Sequence, residues 1–156
     1  MSVENESLVP SFVVFHVGHR RLAMPRDVVA ELIASPVMFS FPHTTTLITG
    51  VTLRRGRIVP ILDLGPGLLG APSPEARFFL VVERRASKFT ERCAIPVQGE
   101  CELVPGNMLP AGSETDFVTG RIDLNGEQID VVDLEKAIAA SARMEEGASQ
   151  PEEALP

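Results

Sequence analysis

Short apolar runs, separated by glycine, proline and polar residues, set the pattern of this chain. The run FVVFHV (12–17) is followed by GHRR and then by LAM (22–24), and FFLVVE (78–83) is followed by a polar connector and RCAIPV (92–97). Runs of this length, rich in Val, Ile and Phe, are typical of β-strands, and their close spacing is typical of a barrel or sandwich. The chain also has 13 prolines and 12 glycines, which favour turns over long helices. The pattern predicts an all-β fold.

One segment near the C-terminus has a helical pattern instead. In DLEKAIAASARMEE (133–146), Asp133 is placed to cap the first turn and Glu135 lies within that turn. Leu134 and Ile138 are four residues apart and share one face. The sequence therefore predicts a C-terminal helix.

The chain repeats itself. Residues 21–33 (RLAMPRDVVAELI) match residues 92–104 (RCAIPVQGECELV) without a gap at Arg, Ala, Pro, Glu and Leu, and residues 50–64 match residues 120–134. In the second block the coinciding pairs are Gly50 with Gly120, Gly56 with Gly126, Asp63 with Asp133, and Leu64 with Leu134. Matched blocks at nearly equal separation indicate an internal duplication.

The two copies divide the chain into predicted units. We predict one subdomain over about 11–70 and a second over about 77–140, joined by the linker GAPSPEA (70–76). Together they form a single domain over 11–140, which agrees with a chain of 156 residues. Short helices accompany the strands.

The repeat also separates the turn residues from the arginines beside them. Asn125-Gly126 in the second copy predicts a two-residue type I′ hairpin, and Arg55-Gly56 takes the same place in the first copy. Glycine is common to both copies because the turn requires a positive φ there. Since the second copy forms this hairpin without arginine, the turn does not explain Arg54, Arg55 and Arg57.

The acidic residues are concentrated at the two ends. The formal net charge is −7, of which residues 1–10 carry −2 and residues 141–156 carry −3, so that the body is close to neutral. Acidic ends rich in Ala, Pro and Gly are commonly solvated and mobile. We expect a flexible N-terminal tail over 1–10, and the end of the helix followed by a flexible acidic tail over 141–156.

No pattern of a catalytic or cofactor-binding site stands out. Asp63 and Asp133 follow apolar strands at equivalent places, so we interpret them as helix caps rather than a catalytic carboxylate pair. The segment GPGLLG (65–70) lacks the Lys-Ser/Thr of a phosphate-binding loop and is interpreted as a turn with a short helical piece. The histidines and the cysteines Cys93 and Cys101 lack the spacing of metal ligands. We therefore predict a protein that is not an enzyme and has no cofactor.

Localisation and nucleic-acid binding follow from the same composition. The N-terminus MSVENESLVP lacks the basic and apolar regions of a signal peptide, and no apolar run is long enough to span a bilayer. We expect a cytoplasmic protein with no direct membrane insertion. The body is slightly acidic and phenylalanine is its only aromatic residue, so a nucleic-acid partner is not expected. Protein recognition remains the favoured function, with a small-barrel ligand or nucleic-acid binding module as the alternative.

These segments resemble the CheW-like family of bacterial chemotaxis adaptors over about residues 11–140. The similar parts are Phe12–Val17 with Leu22–Pro25, the V-x-E-L of Val29–Leu32, and RGRIVPILDL (55–64). The resemblance implies two tandem five-stranded SH3-like β-barrel subdomains around a shared core. It also implies a non-enzymatic scaffold that links the cytoplasmic tip of methyl-accepting chemoreceptors to the regulatory domain of a CheA-type histidine kinase.

The resemblance assigns partner contacts by position. They fall in V-x-E-L and in the following hairpin, at Glu31, Leu32, Gly50, Val51, Arg54, Arg55, Gly56 and Arg57. A groove between the subdomains would receive the receptor tip, and the second subdomain would face the kinase.

The sequence departs from the family at one strand. The family usually reads G-V-(I/V)-N-L-R-G, whereas this chain has Thr52, Leu53 and Arg54 in the middle of that stretch. The second copy keeps the family's alternation with Ile122 and Leu124. Either Leu53 is exposed or the strand between Gly50 and Gly56 is bulged. The departure also motivates an alternative function, a paralogue adaptor in a non-chemotaxis chemosensory pathway such as surface motility or second-messenger control.

Overall fold

A computed structural model describes residues 9–34, 36–40, 47–85, 90–111 and 117–153 of the chain. This part is mostly β-structure, as predicted. A 3-10 turn spans Arg26–Val28, helix α1 spans Gly65–Leu69 and helix α2 spans Leu134–Glu153. The strands are β1 (Ser11–Val17), β2 (Arg20–Pro25), β3 (Val29–Ala34), β4 (Met38–Phe39), β5 (Ile48–Arg54), β6 (Arg57–Leu62), β7 (Phe78–Arg85), β8 (Thr90–Val97), β9 (Glu102–Pro105), β10 (Val118–Leu124) and β11 (Glu127–Val132).

The strands form two sheets, and each sheet takes strands from both copies of the repeat. The five-stranded sheet has the order β10-β11-β2-β1-β9, and the six-stranded sheet has the order β3-β7-β8-β6-β5-β4. The first hairpin of each copy is β1–β2 or β7–β8, and it pairs with the final hairpin of the other copy. These contacts are parallel and join β2 to β11 and β8 to β6. The division at about 11–70 and 77–140 therefore marks the repeat but not the two sheets. Sequence similarity identifies equivalent segments, and packing decides which of them pair.

Successive side chains along a strand point to opposite faces of its sheet, and the apolar ones form three clusters. One face of the five-stranded sheet surrounds a cluster that includes Phe12 and Val14, and one face of the six-stranded sheet surrounds another that includes Phe79 and Val81. The opposite faces of both sheets contribute to a larger shared cluster. A sheet that encloses its own core on one face is curled towards a barrel. The described residues thus agree with two barrels around a shared core.

Both predicted hairpin turns are present. Arg55 and Gly56 have φ values of 54° and 78°, and Asn125 and Gly126 have φ values of 54° and 86°. Positive φ at both central residues is the requirement of a type I′ turn. The turn in the first copy therefore holds an arginine in a conformation that asparagine adopts more readily.

The departure from the family pattern at Thr52 and Leu53 leaves the Leu53 side chain exposed and does not bulge the strand. From Gly50 to Arg54, strand β5 pairs regularly with β6, and Leu53 is 54% exposed. The irregularity in this hairpin lies earlier, between Ile48 and Gly50, and the second copy has the same irregularity between Val118 and Gly120. The bulged alternative for Gly50–Gly56 is therefore wrong. Thr52 occupies the buried position, where its Oγ1 donates a hydrogen bond to the carbonyl of Val37 at 2.6 Å.

The two aspartates have related but unequal roles at the helices. The Asp133 carboxylate accepts the Lys136 amide at 2.9 Å, which confirms that it caps α2. The Asp63 carboxylate accepts the amides of Gly65 at 2.8 Å and Ser73 at 3.2 Å, so it joins the start of α1 to the following turn. The cap position of α1 itself is Leu64.

Helix α2 is longer than its predicted pattern. It continues from residue 146 to Glu153, within the segment 141–156 for which a helix end followed by a flexible tail was predicted. Alanine and glutamate, which make up seven of the 16 residues of 141–156, have high helix propensity. An acidic composition is therefore compatible with helix here.

Two equivalent glycines allow a preceding segment to lie close to the hairpins β5–β6 and β10–β11, which are the final hairpins of the two copies. A Cβ added at Gly50 would lie 2.9 Å from the carbonyl oxygen of Phe39, and one added at Gly120 would lie 2.7 Å from that of Leu109 and 2.4 Å from Cγ of Met108. The duplicated glycines are thus explained by close backbone approach.

We expect Gly120→Ala to destabilise the protein by about 1–3 kcal/mol, the usual range for overpacking. The added methyl group would displace backbone as well as a side chain. Urea unfolding should show a lower midpoint. Gly106→Ala is the control, because a Cβ at Gly106 meets nothing within 4 Å. Equal midpoints for the two variants would contradict the close-approach explanation.

Candidate partner-binding site

The fold brings together three of the residues predicted to contact a partner. Arg54, at the end of β5, donates hydrogen bonds through Nε and Nη2 to the two carboxylate oxygens of Glu31 on β3. Nη2 of Arg55 lies 3.7 Å from the same carboxylate. Strands β3 and β5 are far apart in the order of the six-stranded sheet, so this contact joins its two ends. The ion pairs therefore lie at the closure of the barrel.

Electrostatics at Glu31 follow from these contacts. The hydrogen bonds from Arg54 hold the pKa of the Glu31 carboxyl below its ordinary value, aided by the charges of Arg54, Arg55 and Arg92 against the opposing effect of burial. In return, the pKa of Arg54 is raised by its hydrogen bond to Glu31. The side chain of Glu31 is 19% exposed, whereas that of Arg55 is 75% exposed. Arg55 is thus the member of the cluster that is most available to a partner.

A basic groove opens beside this cluster. It has a volume of about 590 Å³ and lies against the buried residues Val59 and Val81 of the barrel interior. Arg92 is paired with Glu83 at 3.2 Å, and Arg57 has no ion-pair partner among the described residues. The charged residues that line the groove are Arg54, Arg55, Arg57, Arg92, Glu83 and Glu91.

The other predicted contact residues lie elsewhere. Leu32 is 36% exposed and faces a groove of about 310 Å³ between the edge strands β3 and β9. Gly50 is buried, and Val51 is half-buried on the outer face of the sheet. Gly56 is exposed at the hairpin tip, where its positive φ serves the turn. The predicted residues therefore divide between the barrel mouth, the groove between the sheets and positions required by the fold.

The groove between the sheets is lined by equivalent residues of the two copies. Glu31 and Leu32 lie on β3, and their counterparts Glu102 and Leu103 lie on β9. Cys101 also lines this groove, and burial raises the pKa of its thiol to about 11. Such a thiol is protonated at neutral pH and therefore a poor nucleophile.

The other barrel carries a counterpart of the Glu31 cluster with the charges distributed differently. Arg21 on β2 contacts Glu102 at 2.9 Å and Glu127 at 2.6 Å. Glu102 is the repeat counterpart of Glu31, and Glu127 occupies the place of Arg57. One barrel end consequently has two arginines around one glutamate, and the other has two glutamates around one arginine.

Sequence reasoning missed an apolar face next to the arginines. Leu53 on β5 lies directly opposite Ile58 on β6, and their side chains are 54% and 68% exposed. Val37 and Phe39, at strand β4, are also exposed. The signal was present in the repeat, because the second copy has polar residues at the positions of Leu53 and Ile58.

The described part of the chain has neither a membrane-spanning helix nor a cluster of metal ligands. None of its helices is long and apolar enough to cross a membrane. Within the same residues, no three His, Cys, Asp or Glu side chains are grouped as metal ligands.

Comparison with known proteins places the chain in a family. The family model "CheW-like domain" matches residues 11–142. Protein FrzA of Myxococcus xanthus is 40% identical over 53 residues, which are 34% of this chain and 33% of FrzA, so the match spans about a third of that relative's length. The crystal structure of the scaffolding protein TtCheW from Thermoanaerobacter tengcongensis has the same fold, with a TM-score of 0.66 and 20% identity over 81% of this chain and 90% of TtCheW. The chain belongs to the CheW-like family.

We expect the contacts of Glu31 to make the free energy of unfolding depend on pH. Because the pKa of this carboxyl is lower in the folded protein than its ordinary value of 4.5, the stabilisation is present above pH 4.5. It is lost as the pH falls through the folded pKa. Glu31→Gln should remove this part of the pH dependence in urea titrations between pH 3 and pH 7.

Glu75→Gln is the matched control, because Glu75 is an exposed carboxylate and has no ion pair among the described residues. It should leave the slope of stability against pH close to that of the wild type. A Glu31→Gln protein with the wild-type slope would show that the arginines do not stabilise the ionised carboxylate.

Proposed function

We propose that the protein is a non-enzymatic scaffold that couples chemoreceptors to the regulatory domain of a CheA-type histidine kinase. The family membership over residues 11–142 is the observation that carries this proposal. The same role was inferred from the resemblance of the motifs. A scaffold of this kind acts by holding two partners at fixed places, for which two separate binding surfaces are needed.

The barrel mouth supports one of these surfaces. Arg55 projects from a hairpin tip with its side chain 75% exposed, and Arg54 is oriented beside it by two hydrogen bonds to Glu31. Arginine is frequent at the energetic centres of interfaces because it combines several donors with an apolar stem. The resemblance would place the kinase contact on the second subdomain, but the exposed cations lie on this hairpin of the first copy, so we assign Arg54, Arg55 and Arg57 to the kinase contact.

The groove between β3 and β9 supports the second surface. Leu32 and Leu103 face it from opposite sheets, and Leu103 is 59% exposed. A helical hairpin tip that presents apolar side chains could pack between them. We assign this groove to the chemoreceptor tip, with Glu31 and Glu102 at its borders.

Replacement of Arg55 by asparagine is the sharpest test of the kinase contact. Asn125 has the same positive φ of 54° at the equivalent turn, so Arg55→Asn should preserve the hairpin. We expect thermal stability to change by less than about 0.5 kcal/mol, as for most surface substitutions. Affinity for the purified kinase regulatory domain should fall at least tenfold in calorimetric titrations.

Asn125→Ala tests the equivalent turn of the other barrel and should leave kinase binding unchanged. If wild-type protein at tens of micromolar binds neither the kinase domain nor the receptor tip, the scaffold proposal is wrong. A loss of stability in Arg55→Asn without a loss of binding would assign Arg55 to the fold alone.

A paralogue adaptor in another chemosensory-type pathway is the second candidate. The match to FrzA and the departure at Thr52, Leu53 and Arg54 favour it. Binding assays with each kinase encoded beside the gene would distinguish the pathways. Salt-sensitive binding to oligonucleotides would instead support the nucleic-acid module, which the paired carboxylates in the basic groove disfavour.

A further inference from the structure

The outer face of the β4–β5–β6 edge is apolar over three neighbouring strands. Leu53 and Ile58 form a directly opposed pair, and Phe39 lies opposite Val51 in the next pairing. The exposed fractions are 45% for Phe39, 54% for Leu53 and 68% for Ile58. Neighbouring apolar side chains at these exposures are a recognised mark of an interaction surface.

The other barrel provides an internal control for this face. Hairpins β5–β6 and β10–β11 have the same pairing register and, after Ile48 and Val118, the same order of buried and exposed positions. The outer residues of the two hairpins differ in kind. Val51, Leu53, Ile58 and Pro60 in the first copy correspond to Arg121, Asp123, Gln128 and Asp130 in the second.

The comparison shows that the fold does not require apolar residues at these positions. Where the same backbone carries polar residues, they make contacts with one another and with their surroundings, such as the hydrogen bond of Arg121 to Gln128 and the ion pair of Arg20 with Asp130 at 3.2 Å. An exposed Leu–Ile pair in their place gives the isolated protein little benefit, because water still reaches most of both side chains. A bound partner would supply the missing burial.

The charges at the end of this face restrict the chemistry of that partner. Arg54, Arg55 and Arg57 lie at the hairpin tip, directly beyond Leu53 and Ile58. The exposed Arg55, and Arg57 with no ion pair among the residues that the structure describes, are available to carboxylates from outside. An apolar patch with arginines at one end is complementary to an apolar patch bordered by acidic residues.

We infer that the outer face of Val51, Leu53, Ile58 and Phe39 is a docking surface for a protein segment that carries apolar side chains next to carboxylates. The inference rests on the proposed scaffold function and extends the contact from the arginines to this face. Leu53 then determines specificity, because it stands where the second copy has the polar Asp123. An anionic lipid surface fits less well, since Glu31, Glu83 and Glu91 lie among the arginines.

Substitutions that copy the second repeat test this inference. Ile58→Gln introduces the residue found at position 128, and Leu53→Asn introduces the uncharged relative of Asp123, so the net charge stays constant. We expect the double variant to keep its circular dichroism spectrum and melting temperature and to bind the purified kinase regulatory domain at least tenfold more weakly. Gln128→Ala and Asp123→Asn change the equivalent face of the other barrel and should bind within twofold of the wild type.

Salt separates the two parts of the surface. The double variant Leu53→Asn/Ile58→Gln should retain the salt dependence of wild-type association. Arg57→Gln should reduce that salt dependence, because only this substitution removes a charge. If the double variant binds the kinase domain as tightly as the wild type, this inference is wrong, but the proposed scaffold function is unaffected. Wild-type protein that binds neither kinase domain nor receptor tip would overturn both.

Two further results would reassign the face to another occupant and so overturn the inference. The first is concentration-dependent self-association in sedimentation velocity that the double variant abolishes, with kinase binding unchanged. The second is binding of the wild type, but not of the double variant, to vesicles of phosphatidylglycerol and phosphatidylcholine.

Discussion

Burial of both faces of the central strands of each sheet is the constraint on which the structure depends. One face of each sheet encloses its own cluster, and the other contributes to the shared cluster that includes Phe15, Leu22, Leu80 and Ile95. Strands in such a position must be apolar on successive residues, which is why FVVF and FFLVV are continuous runs rather than alternating ones. The exchange of first hairpins between the two copies satisfies this requirement, because it places the most apolar strands at the centre of each sheet, next to the shared core.

The same arrangement leaves the hairpins β5–β6 and β10–β11 towards the edges of the two sheets. Their buried positions are constrained by the fold, so the two copies have apolar residues at most of them, as at Val59 and Ile129 or at Ile61 and Val131. Their outer faces and tips are free of that requirement and have diverged. One end carries arginines around Glu31 with an apolar face beside them, and the other carries Glu102, Glu127 and polar residues. Duplication thus provided two similar scaffolds, and divergence at a few exposed positions made their surfaces different.

Much of the fold could be predicted from the sequence because its signals are local. The strand runs, the positive-φ turn at Asn125-Gly126 and the cap at Asp133 each depend on a few neighbouring residues, and all are present. The exchange of hairpins could not be predicted, because the repeat shows which segments are alike and not which of them pair. The proximity of Glu31 to Arg54 and Arg55 has the same origin, since β3 and β5 meet only when the barrel closes. The family resemblance indicated these residues as partner contacts, but the ion pairs between them are visible only in the three-dimensional structure. The apolar outer face was visible in the aligned repeats, but its meaning depended on knowing that Leu53 and Ile58 are exposed.

The exchanged hairpins also bear on how the molecule could transmit movement. The two barrels share a core and are each completed by strands of the other repeat, so no short linker separates them as independent bodies. A hinge requires a few residues that change conformation while the units on either side stay intact, and here such a change would have to break sheet pairing and apolar packing. A displacement imposed on one barrel is therefore transmitted to the other because both barrels move together as one rigid unit.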